Sequence, residues 1–418
     1  FLQPFFSGIS GLMANSYGIN VVGNNIANVN TIGYKGARTT FQDVLYQSVF
    51  GTAGTSQIGR GAALMSVDTL FSQGSFESTS EPTDLAIGGK GFFKVKSPDN
   101  NSMYYTRAGQ FRFDKVGNLI NPGGYLLQGR HIDSVTHSPF GVDCDIVISP
   151  EPSQPKASTF VAMACNLQQD AEPPADPFVA DDPDPRSYNY TSSVTVYDSI
   201  GQSHTLSVYF VKTADNTWDW HAVAPDAIGG VFEDTGTLSF TAQGLLDPGS
   251  GAPVPLDIEY QAGITQTIRL AFDGSLGGNA TTQYPMASTT NFQTQDGYPP
   301  GVLQNVTVSP EGVISGHYSN GQILDLYQLT LANFNNPQGL SREGGNLFAE
   351  TLESGVPYTN APGQNGLGKI NPNSLEQANV DLASEFVKMI ISQRGFQANS
   401  RVITTTDEIL GELMNLKR

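Results

Sequence analysis

The sequence predicts an α+β fold, in which long terminal helices form a coiled-coil-like inner domain and two β-rich domains lie outside it. Near both ends of the chain, apolar residues recur every seven positions, the stripe of a helix that packs along a long seam. Between these ends lie several hundred residues rich in Gly, Thr, Ser and Val with almost no helical period. Helical seams around a β-rich body are typical of a subunit that polymerises through its ends.

The first helix is predicted over about residues 3–28, with one apolar row formed by Phe5, Leu12, Ile19 and Ile26. Four glycines, at positions 8, 11, 18 and 23, interrupt it, each at a cost of up to ~1 kcal/mol relative to Ala. Such a helix is marginal alone and needs tertiary or neighbour contacts to persist. The asparagines that follow it, and then Gly33, favour turn geometry and end it.

The closing helix is predicted from just after Pro372 to about Asn415, with Asn373 or Ser374 as its cap and Glu376 in its first turn. One face of this helix carries a complete apolar row, formed by Leu382, Met389, Phe396, Ile403 and Leu410. The neighbouring row is mixed, with apolar Phe386 and Met414 but polar Gln393, Ser400 and Asp407. Polar positions suit several different neighbours better than a single zipper. The apolar positions of both helices are therefore the predicted assembly seam, and an internal coiled coil between the two ends is the alternative.

The middle of the chain reads as strands and turns. Residues 193–197 and 205–212 alternate as a hairpin does, residues 218–223 follow, and 302–308 pairs with 313–318. A proline-rich acidic stretch over 172–185 is predicted as a loop. The predicted domains are 1–30 with 373–418 (terminal helical), 31–70 with 356–372 (connector), 71–150 with 296–355 (first β) and 151–295 (outer β).

Composition excludes several classes of function. A formal charge of −18 argues against nucleic acid, and no apolar run is long enough for insertion into a membrane. No leader for a cleaved signal peptide is seen at the start. The five histidines are scattered, two cysteines make no disulfide framework, and no nucleophile sits in a recognisable motif. We therefore expect no enzyme, no catalytic residues, no cofactor and no metal.

Short motifs near both ends carry a resemblance to a known family. The first is formed by Asn24, Asn25, Ala27, Asn28, Thr31, Gly33, Tyr34 and Lys35. The second runs over 379–382 and 393–399, and further matches lie at 84–87, 91–93 and 105–111. These segments resemble the bacterial flagellar axial proteins, which are the rod and hook subunits. The block over 150–295, with 194–198 and 208–212, and the segments 316–321 and 331–334 resemble hook subunits in particular, whereas 41–47 is more similar to the distal rod subunit.

The resemblance implies a structural subunit that self-assembles into a curved tube, the flagellar hook, and acts as a universal joint that passes motor torque from rod to filament. The implied partners are further copies of the chain, the rod, hook cap and hook–filament junction proteins, and the flagellar export apparatus. The implied location is the extracellular flagellum, reached by export without a cleaved signal peptide.

Cys165 lies where the resemblance implies a covalent link in some hook subunits, through loss of sulfur and attack by an amine such as that of Lys156 or Lys94. Burial is the usual state of cysteine, so a structural thiol is the interpretation we favour.

Two alternatives to a hook subunit stay open at this stage. One is a distal rod subunit, which should lack the 150–295 block. The other is a secreted β-rich carbohydrate-binding protein, which would leave both apolar rows unexplained.

Overall fold

A computed structural model describes residues 3–51, 54–133, 136–149 and 151–415 of the chain. The α helices of this part are α1, Gln3–Ala27, and α2, Leu382–Asn415, and a 3-10 turn spans Pro337–Gly339. No helix of the described residues is long and apolar enough to cross a membrane. The chain divides into two compact units: unit 1 comprises 1–150, 305–317 and 323–418, and unit 2 comprises 151–304 and 318–322.

The predicted fold class is wrong. The structure is 43% strand and 15% helix, and the helices do not make the predicted coiled-coil-like inner domain. The physical reason lies in the side chains. α1 and α2 contact each other where glycines of one helix meet asparagine or serine of the other, and Leu382 and Phe386, which begin the two rows of α2, are exposed. A second correction concerns the start of α2. Ser374–Glu376 is a strand, and the helix begins at Leu382, where Asp381 Oδ1 accepts a hydrogen bond from the Ser384 amide at 3.0 Å.

Unit 1 is built largely from antiparallel strands. The strands up to residue 145 are β1 Ala37–Asp43, β2 Gln47–Gly51, β3 Gly54–Ile58, β4 Ala62–Thr69, β5 Phe76–Ser78, β6 Leu85–Gly88, β7 Phe92–Lys96, β8 Met103–Thr106, β9 Arg112–Phe113, β10 Leu119–Ile120, β11 Leu126–Ile132 and β12 Pro139–Asp145. β1 and β4 pair as a two-stranded ribbon, and its register sets Ala37 opposite Thr69 and Asp43 opposite Ala62. The largest sheet contains β7, β8 and β11, and Phe92, Tyr105 and Phe334 pack in its aromatic core.

Unit 2 contains two sheets whose buried faces share one core. Its strands are β13 Phe160–Gln168, β14 Tyr190–Tyr197, β15 Ser203–Ala214, β16 Thr217–Ala224, β17 Phe232–Ser239, β18 Val254–Gln261, β19 Ile264–Ala271, β20 Thr282–Tyr284 and β21 Thr289–Gln295. β14 to β17 form a meander in which buried and exposed residues alternate, as expected for a sheet with one solvated face. β13 is almost wholly buried and pairs with β19, β20 and β21. Trp218 and Trp220 of β16 pack in this core.

The remaining strands complete the chain up to α2. They are β22 Leu303–Val308, β23 Val313–Tyr318, β24 Ile323–Leu329, β25 Leu331–Asn333, β26 Ser341–Gly344, β27 Leu347–Ala349, β28 Tyr358–Asn360, β29 Lys369–Pro372 and β30 Ser374–Glu376. β29 pairs with β6 and β30 pairs with β5, so strands from both ends of the sequence lie side by side just before α2. This pairing places the segment before α2 against the segment that follows β4.

Candidate functional site

The N-terminal signature segment turns the chain out of α1 and into β1. The Asn28 amide side chain donates to the Asn24 carbonyl at 2.9 Å, and the Thr31 hydroxyl donates to Asn28 Oδ1 at 3.2 Å. Gly33 has φ of +69°, and a Cβ there would lie 2.5 Å from the Ala108 nitrogen. Only glycine fits such a position without strain. Ala27 is the last residue of α1 and is exposed.

A buried ionic cluster lies directly after this turn. Lys35 Nζ contacts Glu376 Oε1 at 2.6 Å, and both side chains are fully buried. Arg107 contacts the other oxygen of Glu376 at 3.4 Å and donates to the Gly89 carbonyl at 2.7 Å. Burial lowers the pKa of Lys35 and of Arg107, an effect that the charge of Glu376 opposes in both cases. One carboxylate therefore compensates two buried cations, one just before β1 and one just after β8.

Asn25 links α1, β1 and α2. Its side chain donates to the Ala37 carbonyl at 2.7 Å and accepts from the Ala37 amide at 2.9 Å, like a paired strand residue. It also donates to Glu385 Oε2 of α2 at 3.1 Å and accepts from the Tyr34 hydroxyl at 3.3 Å. The Tyr34 hydroxyl in turn accepts from the Asn24 side chain at 2.9 Å. The signature asparagines thus satisfy backbone and side-chain groups that the end of a helix would otherwise leave buried and unpaired.

The C-terminal signature meets the same place. Asn379 accepts from the Gly36 amide at 2.8 Å and donates to the Leu70 carbonyl at 2.7 Å, so it joins the two strands at the base of the β1–β4 ribbon. The Gly33 amide donates to the Glu376 carbonyl at 2.7 Å. We call this group of contacts the signature junction; it comprises Asn24, Asn25, Tyr34, Lys35, Arg107, Glu376, Asn379 and Glu385. The signature junction fixes the two terminal segments and the base of the ribbon relative to one another.

Sequence reasoning missed the central residue of the junction. Glu376 was predicted in the first turn of α2, because an acidic residue soon after Pro372 and Ser374 resembles a helix start. The structure places it in β30, with a wholly buried side chain. The partners of Glu376 lie far away in the sequence, so only the motifs that the family resemblance singled out pointed to this place.

The two helices run antiparallel and contact each other through a reciprocal pair of asparagines. Asn15 covers Gly395, where a Cβ would lie 2.6 Å from Asn15 Oδ1, and Asn399 covers Gly11, where a Cβ would lie 2.7 Å from Asn399 Nδ2. Each asparagine also donates to the carbonyl of the glycine on its own helix, Asn15 to Gly11 at 2.7 Å and Asn399 to Gly395 at 3.0 Å. Three of the four glycines that interrupt α1, at positions 8, 11 and 18, thus lie against α2.

The predicted seam residues differ in their exposure. Ile403 lies at the contact between the helices, because a Cβ on Gly8 would lie 3.0 Å from its Cγ1. Leu382 and Phe386 are exposed, and the half-buried members are Phe5, Leu12, Ile19, Ile26, Met389, Phe396 and Leu410. The side chain of Met414 lies outside the described residues. Exposed Val387, Ile390 and Ile391 add further apolar surface to the same stretch of α2. The seam remains a prediction about neighbours in a polymer.

Cys165 and Lys156 both lie in unit 2. Cys165 is 1% exposed in the core, with its Sγ 3.5 Å from the Thr290 hydroxyl, and burial raises its pKa to about 11. A thiol with that pKa is almost entirely protonated near neutral pH. Lys156 Nζ pairs with Asp296 at 3.0 Å. Within the part of the chain that the structure describes, no group of three or more His, Cys, Asp or Glu residues is arranged to hold a metal ion.

Comparisons with known families follow the chain from end to end. Residues 7–35 match "Flagella basal body rod protein", 86–160 match "Flagellar hook protein FlgE/F/G D1 domain", 166–298 match "Flagellar basal body protein FlaE D2 domain" and 371–416 match "Flagellar basal body rod FlgEFG protein C-terminal". The matches at 7–35 and 371–416 contain most of the signature junction. The fold and the junction therefore define the class of flagellar rod and hook proteins.

Individual relatives narrow this class. The chain is 36% identical to the flagellar hook protein FlgE of Borreliella burgdorferi over 450 residues, with 100% of both chains covered. It is 35% identical to the flagellar hook protein FlgE of Escherichia coli over 421 residues, covering 99% of this chain and 100% of that protein. The crystal structure of Helicobacter pylori flagellar hook protein FlgE2 shares the fold, with a TM-score of 0.52 at 17% identity over 72% of this chain and 100% of that one. This chain belongs to the flagellar hook protein family.

Proposed function

We propose that this chain self-assembles into the curved tubular hook and works there as a flexible universal joint between rod and filament. The role is mechanical and needs no catalytic step. The observation that carries the proposal is the combination of a full-length match to hook proteins with apolar residues on α2 that remain exposed, of which Phe386 is 50% exposed. Apolar surface of this kind, contiguous along a helix, is typical of an interaction site.

The four segments predicted from the sequence would divide the mechanical work. Residues 1–30 with 373–418 would give axial continuity, 31–70 with 356–372 would connect, and 71–150 with 296–355 and 151–295 would make the contacts that change as the tube bends. The signature junction supports this division, because a buried network of charges and amides resists local rearrangement. Polar contacts between β surfaces are individually weak, so they can exchange at small cost.

The proposed partners are copies of this chain, the rod, hook cap and hook–filament junction proteins, and the export apparatus, with the extracellular flagellum as the location. For Cys165 we propose a structural thiol. The burial of its Sγ and its raised pKa support that role over a link to Lys156 or Lys94 of a neighbour. Boiled polymer should then contain only monomer, and multimers that resist reduction would contradict the proposal.

Electron microscopy of the purified chain under salting-out conditions tests the proposed function. The matched variant lacks residues 1–30 and 375–418, and circular dichroism confirms that its β structure is retained. Tubes from the full chain and none from the folded, shortened chain support end-driven polymerisation. Tubes from both would contradict the role given to the terminal segments, and the absence of tubes from the full chain at every concentration would contradict self-assembly.

A further inference from the structure

We propose that the tip of the β1–β4 ribbon in one copy of this chain inserts into a cationic, aromatic cavity in unit 1 of a second copy. The ribbon tip is defined as Asp43, Val44, Leu45 and Tyr46. The inference rests on the proposed function and deepens it, since it names a contact between neighbouring subunits. It also gives a role to part of the 41–47 segment, which departs from the hook pattern.

The cavity has a volume of about 520 Å³, within the range of about 300–1,000 Å³ typical of sites that bury small organic groups. Aromatic rings and two cationic side chains line it, and these are Phe71, Phe92, Phe334, Tyr358, Lys90 and Arg107. The guanidinium carbon of Arg107 lies 5.5 Å from the centre of the Phe92 ring. The walls therefore favour an occupant with an aromatic or aliphatic group and a negative charge.

Positive charge at the cavity is incompletely compensated. Lys90 is exposed and makes no ion pair with any residue that the structure describes. Arg107 is 4% exposed, and although its terminal nitrogens contact Glu376 and Gly89, its Nε has no hydrogen-bond partner among the described residues. In a chain with a net charge of −18, such a site is complementary to the acidic surface of another copy.

The ribbon tip has the complementary chemistry. Leu45 is 88% exposed and Tyr46 is half exposed, so the tip presents apolar surface with no cover in the single chain. The neighbouring Asp43 carboxylate raises the pKa of Tyr46, so the acidic and aromatic side chains lie close together. The Val44 amide donates to the Gly61 carbonyl at 3.0 Å, which fixes the backbone of the tip. The tip thus presents an acid, a leucine and a tyrosine within four consecutive residues.

The tip cannot reach the cavity of its own copy. Asn25 of α1 holds the base of the ribbon at Ala37, and Ser10 contacts its tip, accepting from the Ala62 amide at 3.3 Å. The seven residues of β1 span roughly 20 Å, and Ser10 and Asn25 are roughly 22 Å apart along α1. Phe71 of the cavity follows β4 directly at the base. Tip and cavity therefore lie at opposite ends of the ribbon, and joining them between copies gives a head-to-tail contact that propagates as an open polymer.

A second exposed leucine provides a matched comparison. Leu352 is fully exposed beside Glu353, and the Asn336 side chain donates to the Glu353 carbonyl at 3.1 Å. Its loop is thus held next to Pro337, at the edge of the cavity on the same copy. Because Leu352 lies beside the cavity and not at a distance from it, Glu353→Lys serves as a control for a change of charge near the cavity.

A charge exchange tests the contact in the full-length chain. Lys90→Glu and Asp43→Lys are each expected to raise the monomer concentration needed for tube growth by about tenfold or more, since each places like charges together. An equimolar mixture of the two variants should assemble, because a tip of either variant meets a cavity of opposite charge wherever the two variants alternate along the contact. The double variant in one chain should assemble too. Glu353→Lys and Lys115→Glu, the latter at an exposed lysine elsewhere in unit 1, should assemble like the unchanged protein.

Rescue by mixing supports the contact, because a folding defect in either variant would not be repaired by a second defective chain. Tubes from each single variant at the unchanged concentration would overturn the proposal while leaving the proposed function intact. If the unchanged chain forms no tubes, the proposed function fails. The contact is then tested by fluorescence binding of a peptide of residues 40–47 to the monomer. Binding that Lys90→Glu abolishes supports the contact, and equal or absent binding overturns it.

Discussion

At the residue scale, the side chain of Glu376 holds the buried charges of the signature junction together. Its two oxygens contact Lys35 and Arg107, and one of them also accepts from the Gly74 amide at 2.9 Å. A buried carboxylate with this set of partners is fully compensated, but each partner depends on it. Removing one member of a buried ion pair leaves a charge without solvent or counterion, which is far more costly than replacing the whole group with apolar residues.

We predict that Glu376→Gln lowers the free energy of unfolding by about 3–5 kcal/mol, because it strands two buried cations. Urea denaturation followed by circular dichroism measures this. A double-mutant cycle with Lys35→Met isolates the interaction between Glu376 and Lys35. The variant that carries both substitutions should lose less free energy of unfolding than the sum of the two single variants. Glu353→Gln, at an exposed glutamate, is the control. An effect of Glu376→Gln as small as that of the control would contradict the account of the junction.

A second residue-scale prediction concerns acid stability. Asp143 is approached by Lys94 at 2.8 Å and Arg130 at 3.0 Å. Burial alone would raise its pKa, but these partners together with Thr330 outweigh burial, so its pKa lies below the usual 3.8. A carboxyl group with a lowered pKa stabilises the fold above about pH 4, and this stabilisation is lost as the pH falls through the pKa of the folded state.

Asp143→Asn should therefore destabilise the chain at pH 7 by about 1–2 kcal/mol, the order of a partly exposed charged hydrogen bond. The difference from the unchanged protein should shrink as the pH falls below about 4. Thermal unfolding measured from pH 3 to pH 7 follows this directly. A constant difference across that range would show that the charge of Asp143 is not what stabilises the native state.

At the element scale, the sequence predicted both terminal helices but not the contacts between glycine and asparagine that join them. The sequence indicated a first helix over about 3–28, close to the Gln3–Ala27 of the structure. A seven-residue apolar row cannot by itself show which face meets the partner helix. Small residues such as Gly11 and Gly395 allow the closest approach, yet a glycine in a helix sequence looks only like a weak position.

This contact yields an element-scale prediction. Gly11→Ala and Gly395→Ala should each destabilise the chain by about 1–2 kcal/mol, because the new Cβ displaces the asparagine that covers the glycine. Gly23→Ala and Gly411→Ala are matched controls with no atom within 4 Å of the new Cβ. Those controls should be neutral or up to ~1 kcal/mol more stable through helix propensity. Thermal unfolding of the four variants separates the cases, and equal effects in all four would contradict the contact.

Unit 2 illustrates what local pattern does predict. The alternation over 193–197 and 205–212 predicted a hairpin, and β14 and β15 pair there, with Tyr190 opposite Phe210 and Tyr197 opposite Ser203. Apolar and polar residues alternate along a strand whose sheet has one solvated face, so such a strand can be predicted from its own residues alone. The pairing of β13 with β19, β20 and β21 was not predictable in this way, because a strand buried on both faces has no alternation and its partners are distant in sequence.

At the scale of the whole molecule, the error in fold class has a physical origin. Two heptad rows indicated helices at the termini. Most of the secondary structure, however, consists of short strands, and each short strand has only a weak sequence pattern. The family resemblance, by contrast, rested on residues such as Asn25, Lys35 and Asn379, which the structure brings together at the signature junction. Conspicuous motifs marked where the terminal segments join, and periodicity overstated how much of the chain is helical.

The proposed function requires that the chain polymerises through exposed apolar residues of its terminal helices. Phe386 and Ile390 are each about half exposed on α2, so replacing both with serine should leave the fold of the monomer nearly unchanged. Each substitution removes apolar surface that would be buried only in the polymer. The lost stabilisation of the polymer is about 25 cal/mol per Å² of that surface. Ser384→Ala, at an exposed position in the same stretch of the helix, is the control.

The measurement is the concentration of free monomer in equilibrium with tubes, obtained by sedimentation alongside the thermal unfolding of each variant. We predict that the double variant Phe386→Ser, Ile390→Ser raises the free monomer concentration at least tenfold without lowering the melting temperature of the monomer. The control variant should have the same monomer concentration and melting temperature as the unchanged chain. An unchanged monomer concentration in the double variant would contradict the claim that these helix surfaces hold the polymer together.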